Sequence, residues 1–135
     1  MSHPKIAVTM GDPAGVGPEI CLELLGNGRV SEHCVPVVFG DADVLYRCAE
    51  KTGKQKPSNV ITRAELNKVD VPSVLSLEGI DIDQLTPGSI SEATGHATYR
   101  YLESAITACR RSEVDAVTTA PANKMALRMA GVTQP

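Results

Sequence analysis

Alternating strand and helix signals constrain the fold of this chain more than any other feature. Short apolar or β-branched runs predict strands at about 5–10, 35–39, 59–61, 73–77 and 115–119. Helical spacing predicts helices at 19–25, 41–52, 91–111 and 123–130, the second capped by Asp41, and a capping-box pattern at 62–65 opens one further turn. Such alternation favours right-handed crossovers, so we predict an α/β fold with a largely parallel sheet and helices on both faces.

The longest predicted helix has an apolar stripe along one side. Residues 91–111 contain no proline, and the stripe consists of Ala93, Ala97, Tyr101, Leu102, Ala105, Ile106 and Cys109. The β-branched run at 115–119 follows it and is typical of a buried strand. These features predict one long helix followed by a buried strand.

A glycine- and proline-rich loop joins the first strand to the first helix. Gly11, Gly15 and Gly17 suit positive φ or a close approach of a ligand, and Pro18 suits a first helical turn. Open α/β sheets bind ligands at such loops, where free helix N–H groups favour an anion. A purely structural βα turn is an equally good interpretation of the spacing.

Two familiar nucleotide-binding loops are excluded by the residues themselves. A Walker A loop ends in Gly-Lys-Ser/Thr, whereas this loop ends in Gly-Pro-Glu at 17–19. The dinucleotide fingerprint needs glycine or alanine where Ile20 stands.

Composition narrows the class of protein. The 135 residues suit one domain with an aliphatic core, and the net charge of −3 without a basic cluster argues against nucleic acid as a partner. No apolar run is long enough to span a membrane, and the first strand follows the N-terminus too closely for a secretory signal, so we expect a cytoplasmic location. The four widely spaced cysteines predict reduced packing residues.

Three segments, in order, resemble one enzyme family. Residues 6–19 (IAVTMGDPAGVGPE), 87–97 and 115–124 (DAVTTAPANK) are similar to motifs of the 4-hydroxythreonine-4-phosphate dehydrogenase family of pyridoxal phosphate biosynthesis. The first segment also resembles, more distantly, the opening of isocitrate and isopropylmalate dehydrogenases, which share the family's superfold.

The resemblance implies a longer protein. Family members continue past the position of Pro135 into a substrate-binding Gly-His-Thr-Glu segment and three metal-ligating histidines gathered from two subunits. His3, His33 and His96 do not correspond to those ligands, and we assign no metal ligand and no catalytic residue in this chain. We expect residues 1–135 to be the N-terminal part of an α/β dehydrogenase that is inactive alone and a homodimer at full length.

The implied activity is oxidation of 4-phosphooxy-threonine or a related phosphorylated hydroxy acid. In such enzymes a divalent metal (Zn, Mg, Co or Mn) acts as Lewis acid, NAD or NADP accepts the hydride, and the β-keto acid loses carbon dioxide. Two alternatives stay open: a phosphate acyltransferase of the same superfold, and an α/β binding module without chemistry. Activity with NAD rather than coenzyme A separates the first alternative from the dehydrogenase.

Candidate site residues follow two strand ends. Asn123 and Lys124 are predicted to bind the substrate's anionic groups, and Thr119 is predicted as a further substrate contact. In the alternative interpretation Asn123 caps a helix, Lys124 is solvated and Thr119 is a β-branched strand residue. Gly11, Asp12 and Gly15 are the predicted cofactor contacts, although Asp12 also suits a cap of the first helix. For Glu19 the helix dipole is a better explanation than a site carboxylate.

Overall fold

Five parallel strands form the sheet that organises this protein. The computed structural model describes residues 3–132, and its strands lie in the order β3-β4-β2-β1-β5. Their bounds are β1 Lys5–Thr9, β2 Val35–Gly40, β3 Val60–Ile61, β4 Ser73–Ser76 and β5 Ala116–Thr119. The predicted parallel α/β architecture is confirmed.

Helices connect the strands at nearly the predicted positions. They are α1 Gly17–Gly26, α2 Gly28–Ser31, α3 Ala42–Thr52, α4 Glu92–Arg110 and α5 Lys124–Met129, with 3-10 turns at Arg63–Glu65 and Ile82–Gln84. The short helix α2 was not predicted. The glycines around Asn27 indicate a helix stop, but the Asn27 side chain accepts the N–H of Arg29 at 2.9 Å and starts a new turn at once.

The apolar core lies on both faces of the sheet because successive strand residues point to opposite sides. On one face Val8 and Val38 belong to a cluster with α1 and α3 residues, and on the other Val37 and Phe39 belong to a cluster with Ala105 of α4. All four cysteines are free, as predicted. Burial raises the pKa of the Cys21 thiol to about 12, so this side chain serves packing.

Helix α4 buries a different stripe from the one predicted. It begins with reciprocal bonds between Ser91 and Thr94, whose side chains accept each other's backbone N–H at 3.1 and 3.0 Å. Ala97, Tyr101 and Ala105 are buried as predicted, but Ile106 is 50% exposed, while Thr94, Gly95 and Thr98 are buried. The burial of small residues near the start of α4 follows from its contacts, since Gly95 lies against the Ala126 carbonyl of α5 and the Thr98 hydroxyl lies 3.4 Å from the Gly11 carbonyl oxygen.

Strand β5 is not the buried strand that its sequence predicts. It pairs with β1 on one side, and within residues 3–132 no strand pairs with its other side. Ala116, Thr118 and Thr119 are consequently exposed, and Val117 is half-buried. The β-branched composition correctly predicts a strand but does not reveal its position at the edge of the sheet.

Candidate functional site

Loops from three parts of the chain meet at the carboxyl edge of the sheet, where parallel strands place ligands. The loop after β1 contacts the loop after β5, because Asp12 donates its backbone N–H to the Pro121 carbonyl at 3.1 Å. The segment before α4 joins them through the Gly88 N–H, which donates to the Ala14 carbonyl at 2.7 Å. These two bonds make one continuous surface from residues far apart in sequence.

The glycines of the first loop have different structural roles. Gly11 has a φ of +74°, and a Cβ there would overlap the Pro121 carbonyl oxygen and lie 2.9 Å from that of Ala120. Gly17 is equally constrained, since its Cβ would overlap the Met10 carbonyl oxygen. Gly15 is exposed and its Cβ would meet nothing closer than 3.6 Å, so packing does not require glycine at that position.

Asp12 shapes the loop from within. It is 4% exposed, and its Oδ1 accepts the backbone N–H of Ala14 at 2.8 Å. It does not cap the first helix, whose N-cap residue is Val16 and whose N-terminus receives no side-chain hydrogen bond. The first turn of α1 therefore keeps N–H groups that no side chain of the described chain satisfies, and such groups favour an anion.

Glu19 lies in a surface ion-pair cluster. Its Oε1 is 3.9 Å from Lys54 Nζ, and Lys54 also pairs with Glu23. These carboxylates raise the pKa of Lys54. The half-exposed Glu19 side chain thus faces Lys54 and not the loops at the carboxyl edge of the sheet. This position agrees better with the helix-dipole interpretation than with a site carboxylate.

Asn123 and Lys124 start helix α5 beside the β5 loop. The Asn123 Oδ1 accepts the Ala126 N–H at 3.0 Å, so the capping role is confirmed. Lys124 is exposed, and no acidic side chain of residues 3–132 forms an ion pair with it. The helix that follows β5 therefore begins with an ammonium group that has no counter-ion in the described part of the chain.

Thr119 also lies at this edge, at the end of β5. Its hydroxyl accepts from the buried Thr9 hydroxyl at 2.6 Å and donates to the Ala120 carbonyl at 2.7 Å. The side chain is exposed, but its proton is already bonded within the protein. For a ligand it offers a remaining acceptor position on its oxygen.

Asp41 and Tyr101 form a buried polar pair that the sequence did not predict. Asp41 occupies the N-cap position of α3, but the prediction that it caps this helix was wrong, because its side chain makes no bond to the helix. Its Oδ1 accepts the Gly79 N–H at 2.8 Å, and its Oδ2 accepts the Tyr101 hydroxyl. Burial raises the pKa of both side chains.

The only sequence signal for this pair was the tyrosine in an apolar stripe, since a buried tyrosine hydroxyl needs a partner. The partner lies 60 positions away. No local pattern identifies it.

A metal centre does not fit the residues that the structure describes. Between residues 3 and 132 no group of three or more histidine, cysteine or acidic side chains lies together in a way that could hold a metal ion. The exposed His96 lies 3.4 Å from Glu92, one turn earlier on α4. None of the helices described is long and apolar enough to cross a membrane.

Comparison with known proteins agrees with the fold and the motifs. The family described as "Pyridoxal phosphate biosynthetic protein PdxA" matches residues 32–135. A 4-hydroxythreonine-4-phosphate dehydrogenase from Trichlorobacter lovleyi is 40% identical over 136 residues, covering 95% of this chain and 39% of that protein. A Clostridium botulinum relative, provisionally named D-threonate 4-phosphate dehydrogenase, is 34% identical over 97% of this chain and 40% of its own length.

Similar solved structures support the same family assignment. A 4-hydroxythreonine-4-phosphate dehydrogenase from Burkholderia phymatum superposes with a TM-score of 0.88 at 32% identity, over 100% of this chain and 41% of the other. A terephthalate 1,2-cis-dihydrodiol dehydrogenase from Burkholderia xenovorans gives 0.74 at 28% identity, over 98% and 38%. The chain thus spans about 40% of the length of the relatives it matches. As its motifs predict, the chain belongs to the PdxA family of pyridoxal phosphate biosynthetic proteins.

Proposed function

We propose that a protein carrying this chain at the full length of its relatives oxidises 4-phosphooxy-threonine or a related phosphorylated hydroxy acid. NAD or NADP is the oxidant, a divalent metal is required, and decarboxylation follows. Membership of the PdxA family supports this proposal, as do two relatives whose names both specify a dehydrogenase and a 4-phosphate. In this proposal the chain is the N-terminal part of a cytoplasmic homodimeric enzyme and is inactive alone.

Lys124 is the residue of this chain that we propose for the substrate's phosphate or carboxylate. The observation that carries the proposal is its exposed ammonium group, which has no acidic partner among the described residues. Lys124 is the first residue of α5, which follows the β5 loop. A charge-assisted hydrogen bond to a phosphate is about twice as strong as a neutral one. Asn123 fixes the first turn of α5, and Thr119, exposed at the end of β5, offers an acceptor to a donor group of the substrate rather than to its phosphate.

We propose that the nicotinamide cofactor contacts the loop after β1. Alcohol oxidation removes a hydride from carbon and a proton from oxygen, and the nicotinamide supplies the hydride acceptor. The uncapped N-terminus of α1 suits a cofactor phosphate, and the exposed Gly15 backbone allows a close approach. Gly11 and Asp12 are buried, so their proposed part is to hold the shape of this loop.

We assign no step to the metal here, because the described residues lack a suitable donor set. In this proposal its ligands come from the part of the protein that follows residue 135. That part also supplies the second side of the substrate pocket.

Replacing Lys124 with alanine in the full-length enzyme tests the proposal. Loss of a charge-assisted contact should cost about 1.5–3 kcal/mol of transition-state binding, which lowers kcat/KM by about 10- to 100-fold while thermal stability changes little. Lys68→Ala is the matched control, because Lys68 is also exposed but lies beside Lys5, at the amino ends of the strands. Unchanged kinetics for Lys124→Ala would restore the interpretation of a solvated lysine.

A further inference from the structure

The carboxylate of Asp41 is buried without a counter-charge. Asp41 is 3% exposed, and no lysine, arginine or histidine of residues 3–132 forms an ion pair with it. Uncharged groups satisfy it instead: the Tyr101 hydroxyl and the backbone N–H of Gly79. Burial of a carboxylate is unfavourable, so an arrangement that depends on these two donors is sensitive to their positions.

This single carboxylate joins three separate segments. Asp41 directly follows β2, Gly79 belongs to the loop after β4, and Tyr101 lies in the middle of α4. Tyr101 is the largest fully buried side chain, and a Cβ on Gly79 would lie 3.0 Å from its ring. Tyrosine and loop are therefore packed closely as well as hydrogen-bonded.

Helix α4 in turn supports both halves of the candidate site. The Thr98 hydroxyl, nearly one turn before Tyr101, lies 3.4 Å from the Gly11 carbonyl oxygen of the first loop. Six positions before Tyr101, Gly95 lies against the Ala126 carbonyl of α5. A shift of α4 along its axis would therefore move Lys124 relative to the loop after β1.

We propose that Asp41 and Tyr101 are positioning residues: their hydrogen bond fixes α4 along the sheet and thereby places Lys124 opposite the Asp12 loop. A satisfied buried hydrogen bond of this kind favours one arrangement of the segments that it joins. This inference rests on the proposed function, in which Lys124 binds an anionic group of the substrate.

A double-mutant cycle in the full-length enzyme tests the inference. Tyr101→Phe removes one oxygen and keeps the ring in place; we expect KM for the phosphorylated hydroxy acid to rise roughly tenfold, as for a displacement of about 1 Å at a binding group. Combined with Lys124→Ala, the same substitution should leave KM unchanged, because the residue through which it acts is gone. Tyr99→Phe is the matched control: Tyr99 is on the same helix, is 42% exposed and should leave KM unaltered.

The outcomes separate the inference from the proposed function. If Lys124→Ala alone leaves KM unchanged, the proposed substrate contact is wrong. If Lys124→Ala raises KM but Tyr101→Phe leaves KM unchanged, the positioning role is overturned. It is also overturned if Tyr101→Phe raises KM by the same factor with and without Lys124. In either case the pair only stabilises the fold.

Thermal unfolding and circular dichroism establish that each variant is folded. Should Tyr101→Phe fail to fold, Asp41→Asn replaces it in the cycle, because the amide keeps the shape and substitutes a weaker neutral bond. We then expect about a threefold rise in KM, seen only when Lys124 is present. Equal rises with and without Lys124 would overturn the inference.

Discussion

Replacing Gly95 with alanine perturbs the contact that seats α5 on α4. A Cβ at this position would overlap the Ala126 carbonyl oxygen and lie 2.5 Å from its carbon and 3.0 Å from the Ala130 Cβ. The obstacle is backbone, so no side-chain rotation relieves it. An ordinary contact needs about 3.5 Å, and the overlap with the oxygen is deeper than the approach to the carbon, so α5 must move outward by about 1.5 Å.

Two opposing terms determine the stability of Gly95→Ala. Alanine is favoured over glycine inside a helix by up to about 1 kcal/mol, which offsets part of the loss. Overpacking of a close contact costs about 1–3 kcal/mol. We expect a net decrease in the free energy of unfolding of about 1 kcal/mol, a modest change for a folded domain.

The kinetic effect should be larger than the effect on stability. Lys124 begins α5 and moves with it, and a displacement of about 1 Å can reduce activity by up to 10²-fold. Steady-state kinetics and urea unfolding of the full-length enzyme measure both effects. Gly26→Ala is the control, since Gly26 also lies in a helix but a Cβ there meets no atom within 4 Å, and it should be neutral or stabilising. Wild-type kinetics for Gly95→Ala would refute the argument that α4 determines the position of Lys124.

Three further predictions concern the isolated chain, the buried carboxylate and the first loop. Residues 1–135 alone should bind no catalytic metal and reduce no nicotinamide, as titration calorimetry with Mg, Mn, Co and Zn and an absorbance assay can check; stoichiometric metal binding with turnover would contradict this. Burial raises the pKa of Asp41, so its contribution to stability should be present below the ordinary aspartate pKa and lost as pH rises through the raised value. Urea unfolding across pH should show this loss of stability for wild type and not for Asp41→Asn. Gly11→Ala should lower the free energy of unfolding by about 1–3 kcal/mol, since it combines a positive φ with overlap of the Pro121 carbonyl, whereas Gly15→Ala should change it little; equal melting temperatures would count against the described loop contact.

The elements were predictable from sequence because their signals are local. Gly53, with a φ of +71°, ends α3 where the sequence indicates a stop, and the bonds from Thr62 to Glu65 at 3.0 Å form the predicted capping box. Hydrogen bonding of this kind lowers the pKa of Glu65. Caps and periodicity involve residues within a few positions of one another, so a single sequence is enough to identify them.

The site was less predictable because its contacts join distant residues. Nothing near Gly11 in sequence indicates that the Pro121 carbonyl lies against it, and nothing near Asp41 indicates Tyr101. The apolar spacing of α4 likewise did not predict the burial of Gly95, because periodicity alone does not show that this helix also contacts α5. These facts depend on strand order and helix packing, which arise only when the whole sheet is assembled.

Two lysines show how a rigid backbone adds to the absence of an acidic partner as an argument for a binding role. Lys54 pairs with Glu19 and Glu23, yet an exposed ion pair contributes only about 0–1 kcal/mol, so stability gives little reason for any surface lysine to be paired. What distinguishes Lys124 is the backbone that carries it: Asn123 caps its helix, and the contact with Gly95 fixes that helix against α4. A cation held on a fixed backbone loses less freedom when it binds a ligand than one on a mobile loop, and more of the interaction free energy remains as affinity. Loosening the support of α5 while leaving Lys124 unchanged should therefore weaken binding, and removing Lys124 should make such loosening irrelevant to KM.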